Sequence, residues 1–186
     1  MKLIILIFVI FFLKPIFANN IGVETGLELP RYVSLKSNDS NIRIGPSKNY
    51  PIIIKYIVSD LPLIVIDEYE NWRKIIDVDN NSGWIHKSLI KGERSAIINA
   101  QHKNLIKIYN VNSGKIIGEI ANGTIVIVPK CKLNWCLISK YNKSGWIKKK
   151  YLWGVKKDEK FNINFLQSLY DFYYQSINLI DKYLKK

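Results

Sequence analysis

Hydrophobic and polar positions follow three successive patterns along the chain. Leu3 to Leu13 is an unbroken apolar run, bounded by Lys2 and by Lys14-Pro15-Ile16-Phe17-Ala18. From Arg31 to Val155, β-branched residues gather in short runs behind turn residues: Leu63-Ile64-Val65-Ile66 follows Leu61-Pro62, and Thr124-Ile125-Val126-Ile127-Val128 follows Asn122-Gly123. Such runs predict short strands. After Lys156 the strand pattern stops. Phe165, Leu169, Phe172 or Tyr173, Ile177, Ile180 and Leu184 recur at three- and four-residue intervals, which predicts one amphipathic helix over 156–186.

The strand region repeats. Asn71-Trp72-Arg73-Lys74-Ile75 followed by Ser82-Gly83-Trp84-Ile85-His86 recurs as Asn134-Trp135-Cys136-Leu137-Ile138 followed by Ser144-Gly145-Trp146-Ile147-Lys148. Trp72 and Trp135 lie 63 residues apart and Trp84 and Trp146 lie 62 apart, so the register holds to within one residue. Turn residues at intervals of roughly 8 to 12 positions predict two tandem β-barrels of five or six strands, each with its own core. The glycine of Ser-Gly-Trp allows positive φ or close approach, and the tryptophan after it caps a small core.

The first apolar run is too short to cross about 30 Å of hydrocarbon and suits the central region of a signal peptide, with cleavage expected after Ala18. Residues 19–30 then form a leader, and the mature protein is expected outside the cytosol, in the periplasm or extracellular space, with no membrane span. There Cys131 and Cys136, flanking Lys132-Leu133-Asn134-Trp135 between two strands, are placed to form a disulfide across a hairpin neck.

Charge sharpens the division of labour. The chain carries 28 Lys+Arg against 15 Asp+Glu. Between Ile98 and Val155 ten lysines face a single acid, Glu119, and Lys148, Lys149 and Lys150 form the densest basic patch. Such an excess favours anionic partners without naming one. Nucleic acid fits the charge but neither the expected compartment nor any reader motif.

Catalytic chemistry finds little support. His86 and His102 lie on different copies, and no phosphate loop, Gly-x-Ser-x-Gly elbow or His-Glu-x-x-His is present. Asp67, Glu68 and Glu70, and Asp77 with Asp79, read as solvated carboxylates at turns. No cofactor and no metal are expected, and the sequence carries no signal of oligomeric state.

The first copy opens as Asn41-Ile42-Arg43-Ile44-Gly45-Pro46-Ser47-Lys48-Asn49-Tyr50-Pro51. Together with its Asn-Trp-x-Lys-Ile strand and Gly-Trp-Ile-His close, it resembles the bacterial SH3-type domain (SH3b). The second copy has a degenerate opening, Asn104-Leu105-Ile106-Lys107-Ile108-Tyr109, and a matching back half. The resemblance implies a mainly β protein with a first SH3-like domain at 31–97 and a second at 98–155, which the helix predicted from periodicity at 156–186 follows. It further implies a non-enzymatic module that binds peptidoglycan or a wall or periplasmic peptide. Grooves beside Tyr50, Tyr69 and Trp72, and beside Trp135 with Tyr141, are the candidate surfaces. Arg43 either braces a loop or reaches the ligand. Two other readings stand beside this one: a scaffold binding another exported protein through the terminal helix, and electrostatic adhesion to anionic polymer or lipid through the second copy.

Overall fold

The computed structural model describes residues 20–162. The expected signal peptide and most of the expected terminal helix lie outside them.

Two seven-stranded antiparallel sheets follow one another. The first comprises β1 (Arg31–Leu35), β2 (Ser40–Arg43), β3 (Ile52–Tyr56), β4 (Pro62–Tyr69), β5 (Trp72–Ile76), β6 (Ser82–His86) and β7 (Ile90–Lys91). The second comprises β8 (Ser95–Ile98), β9 (Leu105–Tyr109), β10 (Ile116–Ala121), β11 (Ile125–Cys131), β12 (Trp135–Lys140), β13 (Lys143–Lys148) and β14 (Leu152–Trp153). Their spatial orders are β3-β2-β6-β5-β4-β1-β7 and β10-β9-β13-β12-β11-β8-β14. Counting from β1 and from β8, the two orders are identical, so the sequence repeat is a topological repeat even where the second opening has lost its motif. The count exceeds five or six because β7 and β14 are two-residue strands behind 3₁₀ turns at Lys87–Leu89 and Lys149–Tyr151, too short to leave a pattern.

Alternation places the core. Leu63 and Val65 of β4, Ile75 of β5, Ile85 of β6 and Ile42 of β2 are fully buried and belong to one cluster, so the first sheet wraps around its own interior. Ile106, Val126, Val128, Ile138 and Ile147 do the same in the second. Gly83 and Gly145 are needed for close approach, since neither has positive φ. A Cβ on Gly83 would collide with Ile42 Cγ2 and lie 2.9 Å from the carbonyl oxygen of Arg43; one on Gly145 would collide with Ile108 Cγ2.

The units touch along β8, all four of whose residues are buried. With a period of two, Ala96 and Ile98 face the second core while Ser95 and Ile97 face the first unit; Ile97 joins the first cluster. Ser34 and Ser95 share a hydrogen bond of 2.5 Å, Arg94 lies over the Tyr32 ring at 5.4 Å, and Tyr32 meets Trp153 edge-on at 5.6 Å. The chain crosses between sheets at residues 92–94, so the expected boundary at 97/98 falls inside β8.

Residues 156–162 are not helical. Phe161 instead exchanges backbone hydrogen bonds with Cys131, at 3.3 and 3.2 Å, and Glu159 pairs with Arg94 at 2.7 Å. This first stretch of the expected helix is used as an extended clasp on the second sheet, a role that side-chain periodicity does not register.

Candidate functional site

The first unit presents a groove of about 860 Å³ lined by Ser47, Lys48, Tyr50, Tyr69, Glu70, Trp72 and His86, among others. Its walls come from the β2–β3 loop and the β4–β5 hairpin. Gly45 lets the Tyr50 ring lie against the backbone, since a Cβ there would sit 2.7 Å from three ring carbons. Arg43 Nη1 donates to the Tyr50 carbonyl oxygen at 2.6 Å, so Arg43 braces the loop that carries the tyrosine. On the opposite wall Tyr69 and Trp72 face each other as the last pair of the hairpin, closed by Glu70 in the left-handed region at φ 46. Trp72 is 8% exposed and meets His86 edge-on at 5.4 Å, whereas Tyr50 and Tyr69 are 45% and 52% exposed. His86 Nδ1 lies 2.8 Å from Ser88 Oγ. The result is a fixed indole floor between two tyrosines, with Lys48 and Glu70 of opposite charge at the rim.

Behind this hairpin lies a buried charge network. Glu68 accepts from Arg31 Nη2 at 2.6 Å, from Thr25 Oγ1 at 2.8 Å, and from the backbone N–H groups of Glu24 and Thr25 at 3.0 and 2.9 Å; Arg73 Nε lies 3.4 Å away. Burial acts to raise its pKa, but the hydrogen bonds from Thr25, Arg31, and the backbone of Glu24 and Thr25 outweigh it and hold the carboxyl at about 2. Arg73 Nη1 in turn donates to the carbonyls of Glu70 and Trp72, at 2.9 and 2.7 Å. The network therefore fixes the hairpin that bears Tyr69 and Trp72. The expectation of a solvated Glu68 is corrected: a register shift between Val65 and Asp67 changes the phase of β4 and turns Glu68 inward. Asp77 is likewise buried. It accepts from Tyr56, Asn81 and Asp79 and ties the β5–β6 turn.

In the second unit Trp135 and Leu133 line a groove of about 600 Å³ with Lys148, Lys149, Lys150 and Lys157. Tyr141 is not part of it. Trp135 opens β12 and Tyr141 stands in the turn beyond its far end, roughly 20 Å away at strand rise; it is 87% exposed. Nor do the three consecutive lysines form one exposed patch. Lys149 is 5% exposed, and its Nζ donates to the carbonyls of Glu159 at 2.6 Å and Lys157 at 3.4 Å. Lys148 and Lys150 point outward. Cys131 and Cys136 form the expected disulfide across the β11–β12 neck, with Cα atoms 4.1 Å apart.

His86 was missed as a groove residue. Its signal is the repeat: it pairs directly with Trp72 across β5 and β6, as Lys148 pairs with Trp135.

The bacterial SH3 domain profile matches residues 36–92 and 112–154, more than half of the chain. The chain belongs to the bacterial SH3 domain family. Its second matched segment starts beyond the degenerate opening of the second copy. Among solved structures it is similar to an NlpC/P60 family protein from Bacillus cereus (9% identity over 66% of this chain and 55% of that one, TM-score 0.30). NlpC2 from Trichomonas vaginalis (12%, 67% and 48%, 0.29) and NlpC1 from the same organism (12%, 71% and 48%, 0.28) are comparable. The chain spans about half the length of these structures. No curated protein matches it. Among the described residues no helix is long and apolar enough to cross a membrane.

Proposed function

We propose that this protein is an exported, non-enzymatic binding module of the cell envelope that holds peptidoglycan or a wall peptide in the first unit's groove. The carrying observation is the groove itself: two half-exposed tyrosines flank a buried tryptophan, on a hairpin fixed from behind by the Glu68 network. Rigid aromatic faces suit sugar rings and extended peptides, because they offer contact area with little side-chain entropy to lose. Carbonyl and hydroxyl groups at the rim add orientation. Membership of the bacterial SH3 domain family supports a wall ligand, and the Cys131–Cys136 disulfide supports an oxidising compartment.

The test is co-sedimentation of the full chain with purified, insoluble peptidoglycan. Retention is expected, with a loss of roughly tenfold in affinity when Tyr50 and Tyr69 are both replaced by alanine. A protein that stays in the supernatant, or a double variant retained as well as the parent, overturns the reading.

A further inference from the structure

The two units place equivalent residues around their grooves but give them different chemistry. Asn134 and Trp135 stand where Asn71 and Trp72 stand. In each copy the Asn carbonyl accepts a backbone N–H, from Lys149 at 2.9 Å and from Lys87 at 2.8 Å. Lys148 takes the place of His86 and lies over Trp135 at 5.7 Å. The tyrosine walls of the first groove are gone. Leu133 and Ser113 are found instead, and the charged lining consists of lysines without one acid.

Lys148 also lines a second cavity of about 260 Å³, together with Lys103, Lys107, Glu119 and Tyr151. Glu119 sits directly opposite Lys107 on β10 and β9, so that acid already has a cation facing it. Lys103 and Lys150 lie 5.6 and 5.2 Å from the centre of the Tyr151 ring, and Lys103 Nζ donates to its hydroxyl at 3.5 Å. The phenol reports the local field. Its slight burial acts to raise its pKa, yet the Lys103 hydrogen bond and the charges of Lys103, Lys150 and Lys148 bring it below the usual tyrosine range.

We propose that the second unit binds a linear polyanion along these two contiguous grooves, with Lys148 at their junction, Lys103, Lys150 and Lys157 supplying further ammonium groups and Trp135 an apolar wall. A chain fits better than a single anion, because the lysines line two grooves that share Lys148 and not one cavity. Lysine suits such a ligand: a point charge on a flexible stem tolerates variable spacing of the charges it meets, unlike the fixed fork of arginine. Lys149 has a separate role, since its ammonium is committed to carbonyls of the tail. This site is independent of the ligand assigned to the first groove.

Long-chain inorganic polyphosphate is the probe, titrated against the full disulfide-bonded chain. Replacing Lys148 and Lys150 by glutamate should weaken binding at least roughly tenfold and flatten the dependence of log K on log salt by more than about 1. The exposed Lys36 and Lys143 line neither groove. Replacing both by glutamate changes the net charge equally and should cost less than about threefold. The Tyr50→Ala, Tyr69→Ala variant should bind polyphosphate like the parent. Equal losses in the two charge-reversed variants, or retention on phosphatidylglycerol vesicles with none on polyphosphate, would overturn the proposal.

Discussion

Glu68 and Arg73 face each other across β4 and β5, both side chains buried, with Arg73 Nε 3.4 Å from Glu68 Oε1. Sixty-three residues on, the same two positions are Cys131 and Cys136, paired across β11 and β12 and joined by a disulfide. One copy clamps its hairpin neck with an ion pair, the other covalently. Each neck also receives a segment from outside its sheet: Glu68 takes up the N–H groups of Glu24 and Thr25, and Cys131 bridges Phe161.

The hydrogen bonds that Glu68 accepts from Thr25, Arg31 and the backbone of Glu24 and Thr25 make the first unit acid-sensitive. Glu68 has its folded pKa lowered to about 2 from an ordinary 4.5. A depressed carboxyl contributes stability that is complete above the unfolded value and is lost as pH falls from about 4.5 toward 2. The shift corresponds to a loss on the order of 3 kcal/mol. Urea unfolding followed at several pH values should show this loss in the parent and not in Glu68→Gln, which should itself be destabilised at neutral pH because Arg31 and Arg73 are left without their counter-charge.

Reducing the disulfide should lower the stability of the second unit by roughly 2 kcal/mol, the loop-closure entropy of so short a ring. The Cys131→Ser, Cys136→Ser variant should match the reduced parent in chemical denaturation. Its first groove should bind as before.

Close packing at the Ser-Gly-Trp glycines predicts unit-specific damage. Gly83→Val drives a side chain into Ile42 and the Arg43 carbonyl, and should cost the first unit roughly 3 kcal/mol or more. Gly145→Val should do the same to the second through Ile108. Hydrogen exchange resolved by unit reads the difference. Exchange should also rise modestly across β8, because Ile97 packs in the first core.

The β12–β13 turn offers a gain. Tyr141 and Asn142 both have left-handed backbones, φ 47 and 61, the conformation of a type I′ hairpin turn. Tyr141→Asn with Asn142→Gly supplies residues that adopt it with less strain, and should stabilise the second unit by about 1 kcal/mol in thermal unfolding. Wall retention should not change, since Tyr141 lies away from both grooves.

Much of this architecture was legible in the sequence. The repeat fixed the two units, and the β-branched run behind Leu61-Pro62 marked a strand whose Leu63 and Val65 the structure buries in one cluster with Ile75 and Ile85. Hairpin spacing located the disulfide. Tyr50, Tyr69 and Trp72 do line one groove. The rest failed to show for physical reasons. A bulge changes the phase of β4, so counting in twos puts Glu68 on the wrong face. Asp77 looks like any turn acid, and only its four hydrogen bonds make it a buried tie. Lys149 is indistinguishable by composition from Lys148 and Lys150, although the 3₁₀ turn rotates it inward toward the tail. Trp135 and Tyr141 are close in sequence but stand at opposite ends of a strand.

The proposed function requires that a wall fragment sit in the Tyr50–Tyr69–Trp72 groove. Titrating the isotopically labelled full chain with a soluble muropeptide, and following the indole N–H of each tryptophan by NMR, tests this most directly. The Trp72 indole and the His86 ring should shift progressively while Trp146 and Trp153 stay still, and the shifts should vanish in the Tyr50→Ala, Tyr69→Ala variant. Shifts confined to the second unit, or unchanged in that variant, would contradict it.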